Sequence, residues 1–136
     1  MRRLLFVLLA GCPSEPPPAC ITVDTTCAPG YVPTFANVYK NTLSVSCGNT
    51  NSSCHSPAGH QGGLTLEDQA TAYTKLTSQS QIDPSRMRVV PGDPACSLLI
   101  VRTDSPGKDY QMPIGDPLAE PMRCALLQWV AAGAMP

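Results

Sequence analysis

The stretch Cys47-Gly48-Asn49-Thr50-Asn51-Ser52-Ser53-Cys54-His55 sets two thiols six residues apart, with an imidazole directly behind the second. Between the cysteines lie one glycine, two asparagines, two serines and one threonine, residues that favour turns and let the segment loop out. Upstream, Thr34 follows Pro33 as a side chain able to cap free helix amides. Phe35, Val38, Tyr39 and Leu43 then recur three, four and eight residues on as one apolar stripe, which predicts a first helix ending before Cys47. The thiol and imidazole groups therefore belong to a loop that opens as a helix closes.

Downstream, Thr65 and Asp68 have capping-box spacing, and Leu66, Ala70, Tyr73 and Leu76 predict a second helix. Asp93-Pro94 predicts the start of a short third helix carrying Ala95, Leu98, Leu99 and Arg102. Aspartate caps free amides, and proline at the first helical position lacks only an amide that has no helical partner anyway. Pro121 opens a last helix in which Met122, Leu126, Trp129 and Val130 share a face, with Gly133 where a C-cap belongs. No alternating run is long enough for a strand. The fold class is therefore all-α, a small helical domain of about four helices with long Gly-rich and Pro-rich loops. Aromatic residues make up only 5% of the chain and prolines number 15, so few large side chains are available for burial. A core of that kind needs a staple or a cofactor.

At the start of the chain, Arg2 and Arg3 precede the apolar run Leu4 to Leu9, which is too short to span a bilayer and has the charge order of an export signal. The run ends in Leu9-Ala10-Gly11-Cys12, similar to the bacterial lipobox, in which the cysteine is acylated and becomes the N-terminus. The expected organisation is a lipoprotein signal peptide over 1–11, a lipidated Cys12 with a Pro-rich linker over 12–19, and one domain over 20–136. A plain secretory signal is the other reading of the same residues. Pro13-Ser14-Glu15-Pro16-Pro17-Pro18 favours an extended spacer. The chain is thus expected outside the cytoplasm, anchored to the outer or inner membrane and facing the periplasm or cell surface. A net charge of −1, from 9 basic and 10 acidic residues, provides no field that gathers nucleic acid. With Cys12 acylated, Cys20, Cys27, Cys47, Cys54, Cys96 and Cys124 remain, an even set in an oxidising compartment.

A cysteine pair closed by Cys-His is the pattern of covalent haem attachment. In Cys-x-x-Cys-His the two thiolates add to the haem vinyls and the adjacent imidazole ligates iron. Gly63-Leu64-Thr65-Leu66, Val89-Val90-Pro91-Gly92-Asp93-Pro94, Met112-Pro113 and Trp129-Val130-Ala131-Ala132-Gly133-Ala134 follow in that order. Together these motifs resemble class I cytochromes c, and more closely small exported bacterial cytochrome c-like domains, often lipoproteins, over most of the chain from Thr34 to Ala134. The resemblance implies that the first and last helices cross, with Phe35 or Tyr39 near Trp129. It implies covalent haem c, with Cys47 and Cys54 as attaching residues and His55 and Met112 as axial iron ligands. The function it implies is that of a membrane-anchored monohaem electron-transfer protein serving a redox partner protein. Met112 has the soft sulfur such a site uses, and Pro113 stiffens its loop. Asn51 stands where the usual spacing has its first cysteine, so attachment through Cys54 alone is a second form of the reading. His60 is the alternative to Met112 as the distal ligand.

Two other readings use the same residues. In one, Cys47–Cys54, Cys20–Cys27 and Cys96–Cys124 are disulfides stapling a haemless domain of the same shape, a binding or structural surface protein; each staple contributes about 2 to 4 kcal/mol. In the other, Cys47, Cys54, His55 and His60 offer zinc ligands, although adjacent Cys-His does not easily face one tetrahedral ion and exported thiols oxidise. No nucleophile elbow, paired-carboxylate context or phosphate loop is present, so the chain is not expected to be an enzyme.

Overall fold

Helix α1 begins at Phe35, and in the computed structural model, which describes residues 15–48 and 54–136, everything else is arranged around it. The expected signal peptide, Cys12 and most of the Cys47–Cys54 spacer lie outside the described residues. The Thr34 side chain accepts from the Asn37 amide at 3.4 Å, which fixes the start of α1 (Phe35–Val38). The helix then widens without a break into a π-helix over Tyr39–Cys47. The Gly48 N–H closes it by donating to the Leu43 carbonyl, five residues back, at 3.0 Å. Such wide turns are rare and concentrate at functional sites, and this one delivers Cys47 to the loop.

A 3-10 turn at Gln61–Gly63 precedes α2 (Gln69–Leu76), α3 (Leu98–Thr103) and α4 (Glu120–Ala131). Among the described residues there is no strand, only an isolated bridge between Gln79 and Met87. The fold class is all-α, as the periodicities imply. Two helix starts differ from expectation. Asp68 itself caps α2, accepting from the Thr71 amide at 2.9 Å, so Thr65 lies ahead of the helix and Leu66 is buried as a loop residue. Asp93 accepts from the Cys96 amide at 3.1 Å, but this caps only a turn; Ser97 Oγ then bonds back to Asp93 O and Val90 N, and α3 starts at Leu98.

The core forms where α1 meets α4. Phe35 lies 5.0 Å from Trp129 and 5.1 Å, edge-on, from Tyr73, ring centroid to centroid. Val38, Leu43, Leu76, Ile100, Leu126 and Val130 complete the buried cluster. Gly133, at φ 103°, ends α4 in a conformation that only glycine adopts freely. The tail turns back, so that Ala134 O accepts from the Tyr73 hydroxyl at 3.1 Å and Met135 O from the Trp129 indole N–H at 2.8 Å. Of the two residues expected beside Trp129, Phe35 is in ring contact with it, and Tyr39 follows at 6.5 Å from Phe35.

Residues 20–34 form no regular element and run as a strap from the turn ahead of α3 to α4. Cys20 is bonded to Cys96 and Cys27 to Cys124. This corrects the expected pairing of Cys20 with Cys27 and Cys96 with Cys124. Each strap cysteine lies beside a different element, and the backbone shows why: Ile21 N donates to Ala95 O at 2.9 Å and Gly30 N to Pro121 O at 2.9 Å. Gln128 Nε2 adds bonds to the carbonyls of Thr25 and Cys27. Arg86 holds the end of the expected linker as well, donating to Pro17 O at 3.2 Å and Ala19 O at 3.0 Å. Two disulfides point to an oxidising, extracytoplasmic compartment. Among the described residues no helix is long and apolar enough to cross a membrane.

Candidate functional site

The residues on either side of the Cys47–Cys54 spacer meet. His55 N–H donates to Cys47 O at 3.4 Å, and Leu66 N–H to His55 O at 2.8 Å. Gly48 packs so closely here that an added Cβ would run into the His55 carbonyl. The ends of the spacer therefore meet, and Cys47, Cys54 and His55 are neighbours despite six intervening residues. Gln61 N–H donates to Cys54 O at 2.9 Å and His60 N–H to Ser56 O at 2.7 Å, which makes 54–61 a rigid turn.

The two thiols stand in different surroundings. Cys47, the last residue of the π-helix, is partly buried against the core, whereas Cys54 is exposed. Burial, and secondarily the neighbouring Cys54, push the Cys47 thiol up to about 12. Neither cysteine belongs to the two disulfides.

His55 Nδ1 lies 3.4 Å from Leu64 O, with the ring half-buried. Burial lowers its pKa, and the charges of Arg102 and Arg88 act in the same direction; the carbonyls of Leu64 and Gln61 oppose them. The neutral imidazole that results, with its Nδ1 proton given to Leu64, carries its lone pair on Nε2. That is the form in which a histidine ligates a metal, its other nitrogen oriented by a carbonyl. The donor set thus fits a haem of the covalent type: one oriented imidazole directly behind an exposed thiol.

Two arginines flank this site: Arg88, which no sequence motif singles out, and Arg102, expected only as a residue of the third helix. Arg88 is only 5% exposed and, among the described residues, has no carboxylate partner. It donates instead to Lys75 O, Ser78 Oγ, Gln79 O and Gly62 O at 3.1, 3.0, 2.6 and 3.3 Å, which ties the 3-10 turn to the C-terminal end of α2. The carbonyls at a helix end favour a cation, so the charge is tolerated there. Arg102, in the last turn of α3, accepts from Met112 N–H at 2.9 Å through its carbonyl and donates to Tyr110 O at 3.2 Å through its side chain. The Arg102 charge also acts on His55, in the direction of a lower pKa.

Met112 is partly buried, and its peptide bond to Pro113 is cis. Gln111 organises the loop around it, donating to Pro113 O and Gly115 O, both at 2.9 Å, and accepting from Gly107 N at 2.6 Å. His60, the alternative ligand, is exposed at φ 28°, its Nδ1 3.2 Å from Pro57 O. Among the described residues no three histidine, cysteine or carboxylate side chains gather as a metal cage.

Residues 52–114 match the family described as Planctomycete cytochrome C. The matched segment contains Cys54, His55 and Met112 and begins five residues after Cys47. The match over 52–114 and the all-helical fold with its Phe35–Trp129 contact agree with each other. No curated protein and no solved structure matches the chain.

Proposed function

We propose that the chain is a membrane-anchored, monohaem c-type electron-transfer protein. Haem c is attached at the Cys47/Cys54 loop, with His55 and Met112 as its axial ligands. A haem with both axial positions filled by protein changes between ferric and ferrous states without binding a substrate. The chain's own residues supply the frame: Leu64 O orients the His55 ring, Arg88 fixes the turn behind it, and Arg102 and Gln111 hold the Met112 loop. The single observation that carries the reading is the Cys54-His55 pair, with its imidazole aimed by Leu64 O at 3.4 Å, inside the segment that matches a cytochrome c family. Acylation of Cys12 and the Pro-rich segment behind it tether the domain outside the cytoplasm, where a redox partner protein meets it.

The test is the absorption spectrum of the chain exported from a host with c-type haem-attachment machinery. A Soret band and sharp ferrous bands are expected, lost in His55→Ala and altered in Met112→Ala. A colourless wild-type protein with no haem on any residue would contradict the reading and leave a haemless, stapled domain. An unchanged ferrous spectrum for Met112→Ala would remove Met112 from the iron.

A further inference from the structure

Within that reading, we infer that haem is attached through one thioether, at Cys54, and that Cys47 stays a thiol at the end of the π-helix. Three independent observations separate the two cysteines. The first is access: Cys54 is exposed on the turn that carries His55, while Cys47 is packed against the buried cluster that includes Leu43 and Leu66. The second is immobility. Cys47 is pinned on both sides, by Gly48 N–H to Leu43 O at 3.0 Å and by its own carbonyl to His55 N–H at 3.4 Å. Gly48 also sits hard against the His55 carbonyl and Leu66, so the backbone that carries Cys47 cannot move outward without opening the contact between the helix end and the His55 turn.

The third observation is register. The haem vinyls are fixed on one ring, and the usual attaching residue lies three positions before the Cys of Cys-His. That position here is Asn51, which has no thiol, and the family match starts just after it, at residue 52. Cys47 thus lies outside the matched register and is partly buried against the core.

The bond-forming step is an addition. The Cys54 S–H adds across one vinyl C=C, the sulfur bonding to the carbon next to the ring and the proton going to the terminal carbon. No electrons are gained or lost overall, and the second vinyl is retained.

Wild-type, Cys47→Ser and Cys54→Ser chains are exported from a host with haem-attachment machinery. Intact mass and the pyridine haemochrome spectrum of each are then measured. Wild type is expected to carry one haem, with its α band displaced to longer wavelength than a two-thioether standard, because one vinyl remains conjugated with the ring. Denatured wild type is expected to alkylate at Cys47. Cys47→Ser keeps the haem mass, and Cys54→Ser loses it. A wild-type band coinciding with the two-thioether standard, or alkylation-resistant Cys47, overturns the single attachment while leaving the haem reading in place. Wild type with no haem mass overturns both. The wild-type readings stand by themselves if either variant fails to fold.

Discussion

Two cysteine pairs in this chain share one spacing and have opposite surroundings. Cys20 and Cys27, like Cys47 and Cys54, are separated by six residues. The first pair lies on a strap with no regular structure, and each member crosses to a different element, over sequence separations of 76 and 97. The second pair begins at a helix end, and its loop closes on itself through the Cys47 carbonyl and the His55 amide. The difference teaches that spacing alone carries no chemistry. What the backbone between and beside the cysteines bonds to decides whether they staple distant parts or converge on one site.

The largest effect should come from releasing the strap. Cross-links over such long separations restrict the unfolded chain strongly, and the double variant Cys27→Ser/Cys124→Ser is expected to lose about 4 kcal/mol in urea unfolding. A loss below about 1 kcal/mol would mean that the strap is held mainly by its hydrogen bonds from Gln128 and to Pro121. On the other side of the comparison, Arg88→Met removes the donor to five acceptors, three at the end of α2 and two in the turn that follows His55, while keeping much of the side chain's bulk. A destabilisation of about 3 kcal/mol is expected, since buried carbonyls lose their partner. Thermal unfolding checks it, and a neutral substitution would show that the turn behind His55 needs no such anchor.

The burial of Cys47 has its own signature in pH. Its thiol is neutral in the folded state up to about 12, whereas the unfolded chain loses that proton near pH 9. Between those values the unfolded state binds fewer protons, so stability falls as pH rises. The contribution is on the order of 2 kcal/mol once partial exposure is taken into account. Denaturant titrations at pH 8 and 11 should show a smaller decline for Cys47→Ala than for wild type. Equal declines would contradict the buried thiol. The smallest expected effect is at the α2 cap. Asp68→Ala should cost about 1 kcal/mol, and Thr65→Ala far less, because Asp68 and not Thr65 receives the Thr71 amide. The reverse order would restore the capping box that the spacing implies.

Those outcomes also mark what was legible in the chain. The helix starts at Thr34 and Pro121 and the all-helical class follow from periodicity and turn chemistry, which are local properties, whereas the Phe35–Trp129 contact is tertiary and was expected only from the resemblance. The Cys54-His55 pair and Met112 were legible as motif residues. Three features were not. The π-helix over Tyr39–Cys47 keeps the same apolar residues as an α-helix, so its wider turn leaves no mark on the pattern. The disulfide partners depend on where the strap meets the turn ahead of α3 and meets α4, a tertiary fact. Arg88 and Gln111 sit in segments whose composition reads as solvated loop, yet both are buried because backbone carbonyls surround them. A charged side chain satisfied by carbonyls has no partner that a sequence pattern could reveal.

The most direct test of the account is peptide mapping, by mass spectrometry without reduction, of the chain exported from a host with haem-attachment machinery. The account predicts cross-linked peptides joining Cys20 to Cys96 and Cys27 to Cys124, together with one haem on the peptide that contains Cys54. A Cys47–Cys54 disulfide and no haem adduct would contradict it.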